Sequence, residues 1–562
     1  MMVTRKILTI FCLFSCCFSA PSPDIKRVKR QDDPPLTIPK SHVNTTIRFR
    51  YAITTVTSYV KNPGTEAKKA EFSMTIADNA FISNMSMIIK DTEYVSEVKG
   101  KEEAMEKFEE AVASGDGAGL VSKVSRDSNL FSVDANVEPG DKVVFRLTYE
   151  ELLERRNGGY EYALNVNPGQ VVEDFRVTVN INESLPLTDL KVPKLVESNE
   201  IDFDEDEEDV NEAAEVTRGV NGSDHNALIV FAPDQEYQEA AGDQGVSGRF
   251  TVSYDVDRSS QESEVQVIDG YFVHFFAPDD LETLPKHVVY VLDISGSMSG
   301  KKLEQMKDAM FTVLDDMKDT DFFNIFAFSS EVKHWESDSD DVFGTGFCSV
   351  QNCSVSSSYP ATEENKNLAI SSILDLGAGG STNINDALDE ALKIGQNARV
   401  FNDIPRETQT MIVFLTDGLP DGDSTTIRSN VKANNTESEI PIFAIGFGAD
   451  ADFNFLKKIA TENDGLAKKI YEGSDAALQL EDFYSQIASP LLSNLQLNYV
   501  GDIVDNSSLS EANARSFYKG NEFIVTGKLL DKGPFGIQIN GTGREWFFRN
   551  ITICLRSDDQ KI

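Results

Sequence analysis

Apolar and polar residues alternate along much of the first third of the chain. The stretch "FSVDANVEPGDKVVFRLTY" (131–149) is the clearest case. Phe131, Val133, Ala135 and Val137 fall on one face. After Glu138–Asp141, Val143, Phe145, Leu147 and Tyr149 do the same. Period two marks a half-buried strand, so this text predicts a hairpin. One helix interrupts the strands, over "GKEEAMEKFEEAVASGDG" (100–117), with Ala104, Phe108, Ala111 and Val112 on its apolar face and Gly115 as its stop. Residues 36–168 therefore read as a β-sandwich carrying one helix. Strand-like text resumes at "ALIVFAP", "GRFTVSYDV" and "GYFVHFFAP". This makes 169–284 a β-rich connecting region, expected to pack as an antiparallel sheet on the first domain.

The pattern changes at Pro285. Short, wholly apolar strands (Val288–Leu292, "DFFNIFAF", "MIVFLTDG", "PIFAIGFG", "KKIYEG") alternate with helical periodicity. Leu303, Met306, Met310, Val313 and Met317 show that spacing; further helices are expected around Ile384–Ala398, around Phe453–Ile459 and up to Ser489. Such alternation predicts a doubly wound, mostly parallel sheet covered on both faces, over 285–489. Residues 490–562 return to strand-like text. The fold class is multidomain: a β-sandwich, an α/β Rossmann-like unit and flanking β-rich segments.

Composition and targeting signals narrow the class. The opening "MMVTRKILTIFCLFSCCFSA" has a basic flank, a short apolar run and small residues at Ser19 and Ala20, as a secretory signal does (1–20). The run is too short to span a bilayer, and no later segment supplies the roughly 20 apolar residues a span needs. A second segment, 21–30, ends in "RVKR", a pattern cut by subtilisin-like convertases, so processing is expected after Arg30. Loss of residues 1–30 removes six basic residues and one acidic one and takes the formal charge from −40 to −45. So acidic a chain is repelled by nucleic acid and anionic lipid. The run "IDFDEDEEDVNEAAE" (201–215) lacks EF-hand spacing and reads as a solvated acidic loop.

In an oxidising compartment Cys348 and Cys353 are expected to pair across "CSVQNC", leaving Cys554 free or paired with another chain. The three of six cysteines that lie beyond the leader are scattered, and with five dispersed histidines they give no zinc spacing. Sequons at Asn44, Asn84, Asn182, Asn221, Asn434, Asn506, Asn540 and Asn550 predict glycosylation, whereas Asn352 sits beside a disulfide cysteine.

The candidate chemistry lies in "VVYVLDISGSMSGKK" (288–302). A nucleophile elbow needs a serine centred between two glycines, and Met298 stands there instead. A phosphate loop needs one more spacer residue, and a hydroxyl where Lys302 stands. A metal site remains. Asp293, Ser295 and Ser297 form D-x-S-x-S at the carboxyl end of an apolar strand, the edge where open α/β sheets bind ligands. "GGSTNIN" adds Thr382, and "FLTDG" adds Asp417. Magnesium takes about six hard oxygens and keeps several waters. Neutral hydroxyl ligands leave the ion electrophilic toward an outside carboxylate.

These residues resemble the metal-ion-dependent adhesion site of the von Willebrand factor type A domain. The resemblance implies that Ser295 and Ser297 ligate directly, Thr382 directly or through water, and Asp293 and Asp417 through waters. The ion is Mg2+, or another divalent cation such as Mn2+ or Ca2+. Longer stretches resemble inter-alpha-trypsin inhibitor heavy chains, over about 38–545. They include "DGYFVHFFAPDDLETLPKHVVYVLDISGSMSGKKLEQMKDAM", "KKAEFSMTIADNAFISNMSM", "KFEEAVASGDGAGLVSK", "EPGDKVVFRLTYEELLERRNGGY", "ASPLLSNLQLNYVG" and "SFYKGNEFIVTGKL". The first domain is similar to their VIT domain. The resemblance implies a secreted, non-enzymatic plasma or matrix protein. Its implied partners are an extracellular protein supplying an acidic group, hyaluronan or chondroitin sulfate, and a Kunitz-type inhibitor chain.

Two departures stand against the full family role. The D-P-H-F motif at which members are esterified to hyaluronan is missing, and the text stops at "ITICLRSDDQKI". A short isoform, or a member without hyaluronan transfer, is expected. The alternative function is a structural matrix or assembly protein whose metal site is unused.

Overall fold

The structure, a computed structural model, describes residues 33–553 apart from 78, 96–127, 197–209, 220–221, 243, 260–261, 279, 338–345, 352–357, 401–402, 419, 449–450 and 471–475. The expected leader, Arg30, the helix at 100–117, most of the acidic loop, Cys353, Asn221, Asn352 and Cys554 lie outside the described residues. Cys348 is disulfide-bonded.

The first body is a β-sandwich. Its large sheet runs, in spatial order, 214–218, 226–231, 174–182, 37–48, 51–61, 142–152, 81–89 and 92–95. A four-stranded sheet (187–191, 248–256, 159–166, 155–156) and the two-stranded ladder 68–77/128–137 close the other side. Alternation is what the burial follows: along 142–152, Val143, Phe145, Leu147 and Tyr149 are buried. Of the expected connecting region, 169–284, the strands between 174 and 256 belong to this body. The strand Asp174–Asn182 pairs in parallel with Thr37–Arg48, and Val177, Val179, Ile181, Phe231 and Phe250 share one core with Val43 and Phe145.

The expected hairpin at 131–149 is corrected. Both strands form, but Ser128–Val137 pairs with Lys68–Ala77, while Lys142–Leu152 pairs with Tyr51–Lys61 and Phe81–Ile89. Glu138–Asp141 does turn (Asp141 N donates to Glu138 O, 3.0 Å), yet it passes the chain between layers. Period two reports which face is buried and leaves the neighbouring strand unspecified.

The α/β unit has strands β1 (Lys286–Asp293), β2 (Phe322–Phe328), β3 (Val332–Trp335), β4 (Gln409–Thr416), β5 (Ile442–Phe447) and β6 (Ala467–Ile470). Their spatial order is β3-β2-β1-β4-β5-β6; the five strands from β2 to β6 in that order are parallel, while β3 and the short strands 347–349 and 359–360 join by antiparallel pairing. Helices α1 (Lys301–Asp315), α2 (Glu363–Leu374), α3 (Ile384–Val400), α4 (Ser424–Asn435), α5 (Phe453–Glu462) and α6 (Ala476–Ser485) accompany the sheet. Two apolar cores flank it. One face of β1 gives Val288, Tyr290 and Leu292 to the first, and the other gives Val289 and Val291 to the second. Double burial is why these strands read as unbroken apolar runs. Helices α2 and α4 are weakly amphipathic and were passed over by the periodicity. Their caps, Thr362 and Asp423, accept from Asn365 N and Thr426 N.

A second, smaller sandwich brackets this unit. One sheet orders 263–268, 271–276, 523–529 and 504–505; the other orders 513–518, 490–500, 535–542 and 546–553. Its core joins Phe272 and Phe276, from before the α/β unit, to Leu495, Phe517, Val525 and Ile537, from after it. The α/β unit is thus an insertion. Its entry and exit lie side by side, with Leu284 N donating to Pro490 O at 2.7 Å and Lys286 Nζ to Ala488 O at 2.9 Å.

The two sandwiches meet around Arg50, which is fully buried. Phe49 and Arg50 form a two-residue turn with φ of 52° and 65°. That conformation suits a hairpin but strains residues other than glycine, by roughly 1–2 kcal/mol each. Arg50 is held there by its own contacts. Its N–H donates to Glu183 Oε1 at 2.9 Å and its Nε to the Tyr160 hydroxyl at 3.0 Å. Nη1 lies 2.8 Å from Glu264 Oε2 and Nη2 lies 3.7 Å from Glu522 Oε1, both carboxylates of the second sandwich. Burial opposes the guanidinium charge, but Glu522, Glu183 and Glu264 outweigh it and hold the group firmly protonated.

Removing the cation would take the Arg50 charge from three buried carboxylates, of which Glu522 keeps Arg258. Arg50→Met is expected to lower unfolding stability by about 3–5 kcal/mol, measured by denaturant titration. A wild-type midpoint would show that the sandwiches do not depend on this cluster.

Candidate metal site

The site forms where the sheet order reverses. β1 sits between β2 and β4, and the loops leaving β1 and β4 run to opposite faces, opening a crevice at their carboxyl ends. Asp293 is the last residue of β1, and Asp417 follows the last residue of β4. Both are fully buried.

Asp293 is held by its neighbours. Ser295 N donates to its Oδ1 at 2.8 Å, and the Thr416 hydroxyl donates to its Oδ2 at 2.5 Å. The chain then turns through a short 3-10 segment, Gly296–Met298, into α1. That turn presents the Ser295 and Ser297 hydroxyl oxygens 3.1 Å apart. Adjacent ligands of an octahedral ion at 2.0–2.1 Å are separated by about 2.9 Å, so the pair fits two cis positions of such a shell.

Thr382 comes in on a glycine-rich loop before α3. Two backbone bonds tie that loop to the β1 loop: Gly379 N to Ile294 O at 2.8 Å and Gly296 N to Gly380 O at 3.1 Å. Gly380 has φ +89°, and a Cβ there would fall 2.7 Å from Ser330 Oγ. Both facts require glycine. Thr382 is itself fixed to the β4 loop, donating its N–H to Asp421 Oδ2 at 2.8 Å and accepting from Asp421 N at 3.0 Å. All five expected residues therefore stand on three loops that bond to one another.

Two buried carboxylates dominate the electrostatics of the crevice. Burial pushes Asp293 up to about 6, against the pull of its hydrogen bonds, and the nearby Asp417 charge adds to the rise. Both carboxylate oxygens of Asp417 are buried and accept no hydrogen bond. The nearest positive charge is Lys302 Nζ on α1, 3.5 Å from Asp417 Oδ2. Among the described residues, no group of three His, Cys, Asp or Glu side chains gathers to hold a metal. The fit rests on hydroxyls with two carboxylates, a hard-oxygen set suited to Mg2+. The sequence reading gives Thr416, Lys302 and Asp421 no part in the site. Thr416 and Lys302 lie within the stretches quoted for it, but nothing in the text says that their side chains turn inward.

Residues 38–149 match the family described as "Vault protein inter-alpha-trypsin domain", and residues 287–486 match the von Willebrand factor type A domain. The protein is thus one that joins a VIT domain to a VWA domain. Curated relatives extend the match along the chain. Inter-alpha-trypsin inhibitor heavy chain H4 of Bos taurus is 37% identical over 88% of this chain and 50% of that protein. Heavy chain H3 of Bos taurus is 36% identical over 89% and 53%, and heavy chain H4 of Homo sapiens 36% over 88% and 50%. The chain belongs to the inter-alpha-trypsin inhibitor heavy chain family, and it spans about half the length of the curated relatives it matches.

Two solved structures are similar at low identity. The von Willebrand factor type A protein from Catenulispora acidiphila is 16% identical with a TM-score of 0.40, covering 53% of this chain and 74% of that one. Proximal thread matrix protein 1 from the mussel byssus, "with zinc occupied MIDAS motif", is 17% identical with a TM-score of 0.27, covering 40% and 51%.

Asp293 generates a pH dependence in the metal-free protein. Its folded form keeps a proton between the ordinary carboxylate range and about 6, where the unfolded chain has lost it. Stability therefore falls as pH rises through that window. Thermal melts in chelator from pH 4 to 7 should show the decline. Asp293→Asn should flatten it; an unchanged slope would mean that another group titrates.

Proposed function

We propose that this chain is a secreted, non-enzymatic heavy-chain-like protein whose A domain binds a divalent cation and, through it, an acidic group on an extracellular partner. The observation that carries this reading is the buried Asp417 carboxylate, which accepts no hydrogen bond beside a second buried carboxylate and a pair of converging hydroxyls. Burying two carboxylates together is unfavourable without a compensating cation.

The roles divide among the chain's own residues. Ser295 and Ser297 would ligate the ion, and Thr382 would ligate it directly or through water. Asp293 and Asp417 would balance its charge, holding waters between. Mg2+ is the first candidate, with Mn2+ or Ca2+ as alternatives. When bound, the ion supplies an electrophilic position for an incoming carboxylate. Thr416 and the Ser295 amide orient Asp293, while Asp421 fixes the Thr382 loop.

Export with loss of residues 1–20, processing after Arg30, glycosylation and a Cys348–Cys353 disulfide belong to the same reading. It is supported by the leader text and by a described part in which no helix is long and apolar enough to cross a membrane. Hyaluronan, chondroitin sulfate and a Kunitz-type inhibitor chain are the partner classes that the family suggests.

One observation favours a second reading, a structural matrix or assembly protein with an unused metal site. Lys302 already places an ammonium 3.5 Å from Asp417 and partly offsets its charge.

Isothermal titration of Mg2+ decides the first point. Wild type should bind at one site, and Asp293→Ala should lose at least tenfold in affinity; equal binding by both proteins would refute the assignment. Solid-phase binding to matrix ligands then separates the readings, because chelator should abolish binding through the ion and leave a structural contact unchanged.

A further inference from the structure

The outer face of the second sandwich is chemically unlike the rest of this acidic chain. Its sheet ends in an edge strand, Trp546–Ile553. Phe547 points into the core, which sends Trp546, Phe548, Asn550 and Thr552 outward. Trp546 is 70% exposed and Phe548 49%. Across the ladder Thr542 faces Trp546, Asn540 faces Phe548 and Gln538 faces Asn550. The outward positions of the strands 490–500, 535–542 and 546–553 carry no charged side chain. Amides, hydroxyls and two bare aromatic rings make a surface suited to a sugar. Amides satisfy its hydroxyls, and an aromatic ring covers the apolar face formed by its C–H groups.

A specific sugar is within reach. "FRNIT" (548–552) places Phe548 two residues before the sequon Asn550-Ile551-Thr552. In a strand, residues two apart project from the same face about 6.6 Å apart. An N-acetylglucosamine joined to Asn550 Nδ2 would therefore have the Phe548 ring within reach. Of the nine sequons, this one alone has Phe, Tyr or Trp at that position. Asn550 is exposed on the edge strand, whereas Asn540 is half-buried on an inner strand.

We propose that Asn550 carries an N-linked glycan whose first N-acetylglucosamine stacks on Phe548, with Trp546 extending the platform. The glycan covers both exposed rings and shields the open ladder edge. Unprotected apolar edges invite pairing with other chains, and a bulky hydrophilic cover prevents it. This inference rests on the reading of the chain as an exported glycoprotein.

The test uses the full chain secreted from cultured mammalian cells. Glycopeptide mass spectrometry should find Asn550 mostly occupied in wild type, and Phe548→Ala should lower that occupancy at least twofold. Thermal melts then compare Thr552→Ala, which removes the sequon, in both backgrounds. Loss of the glycan should lower the melting temperature by about 2–4 °C when Phe548 is present, the shift expected for roughly 1 kcal/mol in a body of this size. It should change nothing in Phe548→Ala. Trimming to a single N-acetylglucosamine with an endoglycosidase should leave the wild-type value intact. An empty Asn550 alongside occupied sequons such as Asn44 would overturn the proposal while leaving the export reading standing. Empty sequons throughout would overturn both. Equal thermal effects in the two backgrounds would exclude stacking.

Discussion

A guanidinium removed from water must be surrounded by carboxylates, and Arg50 meets that requirement with groups from two bodies. Glu183 comes from its own sandwich; Glu264 and Glu522 come from the second. Glu264 precedes the α/β unit in the chain and Glu522 follows it. One buried cation therefore fixes both flanks of the insertion relative to the first sandwich. Arg258 and Tyr160 add to the same knot by bonding Glu522. Charge balance here sets geometry, because no member of the cluster can leave without exposing another to an apolar surround. The left-handed Phe49–Arg50 turn is sustained by the same contacts.

The candidate metal site obeys the same rule with the opposite sign. Two carboxylates are buried at adjacent strand ends, and the protein itself offers them a lysine and a few N–H and O–H donors. What differs is access. Arg50 is fully buried where the two sandwiches meet, whereas Ser297 is exposed at the rim of the crevice. An interior imbalance open to solvent at one point is the feature on which the proposed cation site rests. The backbone bonds between the β1 and Thr382 loops, and between Thr382 and Asp421, hold together the loops that carry the hydroxyls.

Much of this was legible in the text. D-x-S-x-S after an apolar run, with a later Thr and a later Asp, named five residues that the loops bring together, because strand ends are marked by where apolar runs stop. The doubly wound order followed from alternation of strands and helices. The route of the chain in the sandwiches was not legible. Val177 and Phe250 show that they are buried, but nothing in their spacing says that they share a core with Val43. The residues 131–149 mislead for the same reason: a turn sequence is identical whether it closes a hairpin or changes layers. The charges around Arg50 lie in four separated stretches, and a single sequence gives no sign that they converge. Thr416 and Lys302 read as ordinary loop and helix residues until β4 and α1 are placed against β1.

The adjacency of Leu284 and Pro490 has a mechanical meaning. The crevice is at the carboxyl ends of the strands, while both chain connections to the second sandwich leave from the opposite end. A pull applied at the crevice would run lengthwise down the central strands and then divide between two tethers anchored in one small sandwich. The load is shared at the root, so neither tether bears it alone. That root is braced as well, since Tyr518 of the sandwich enters the inserted unit's core and Arg515 pairs with Asp464.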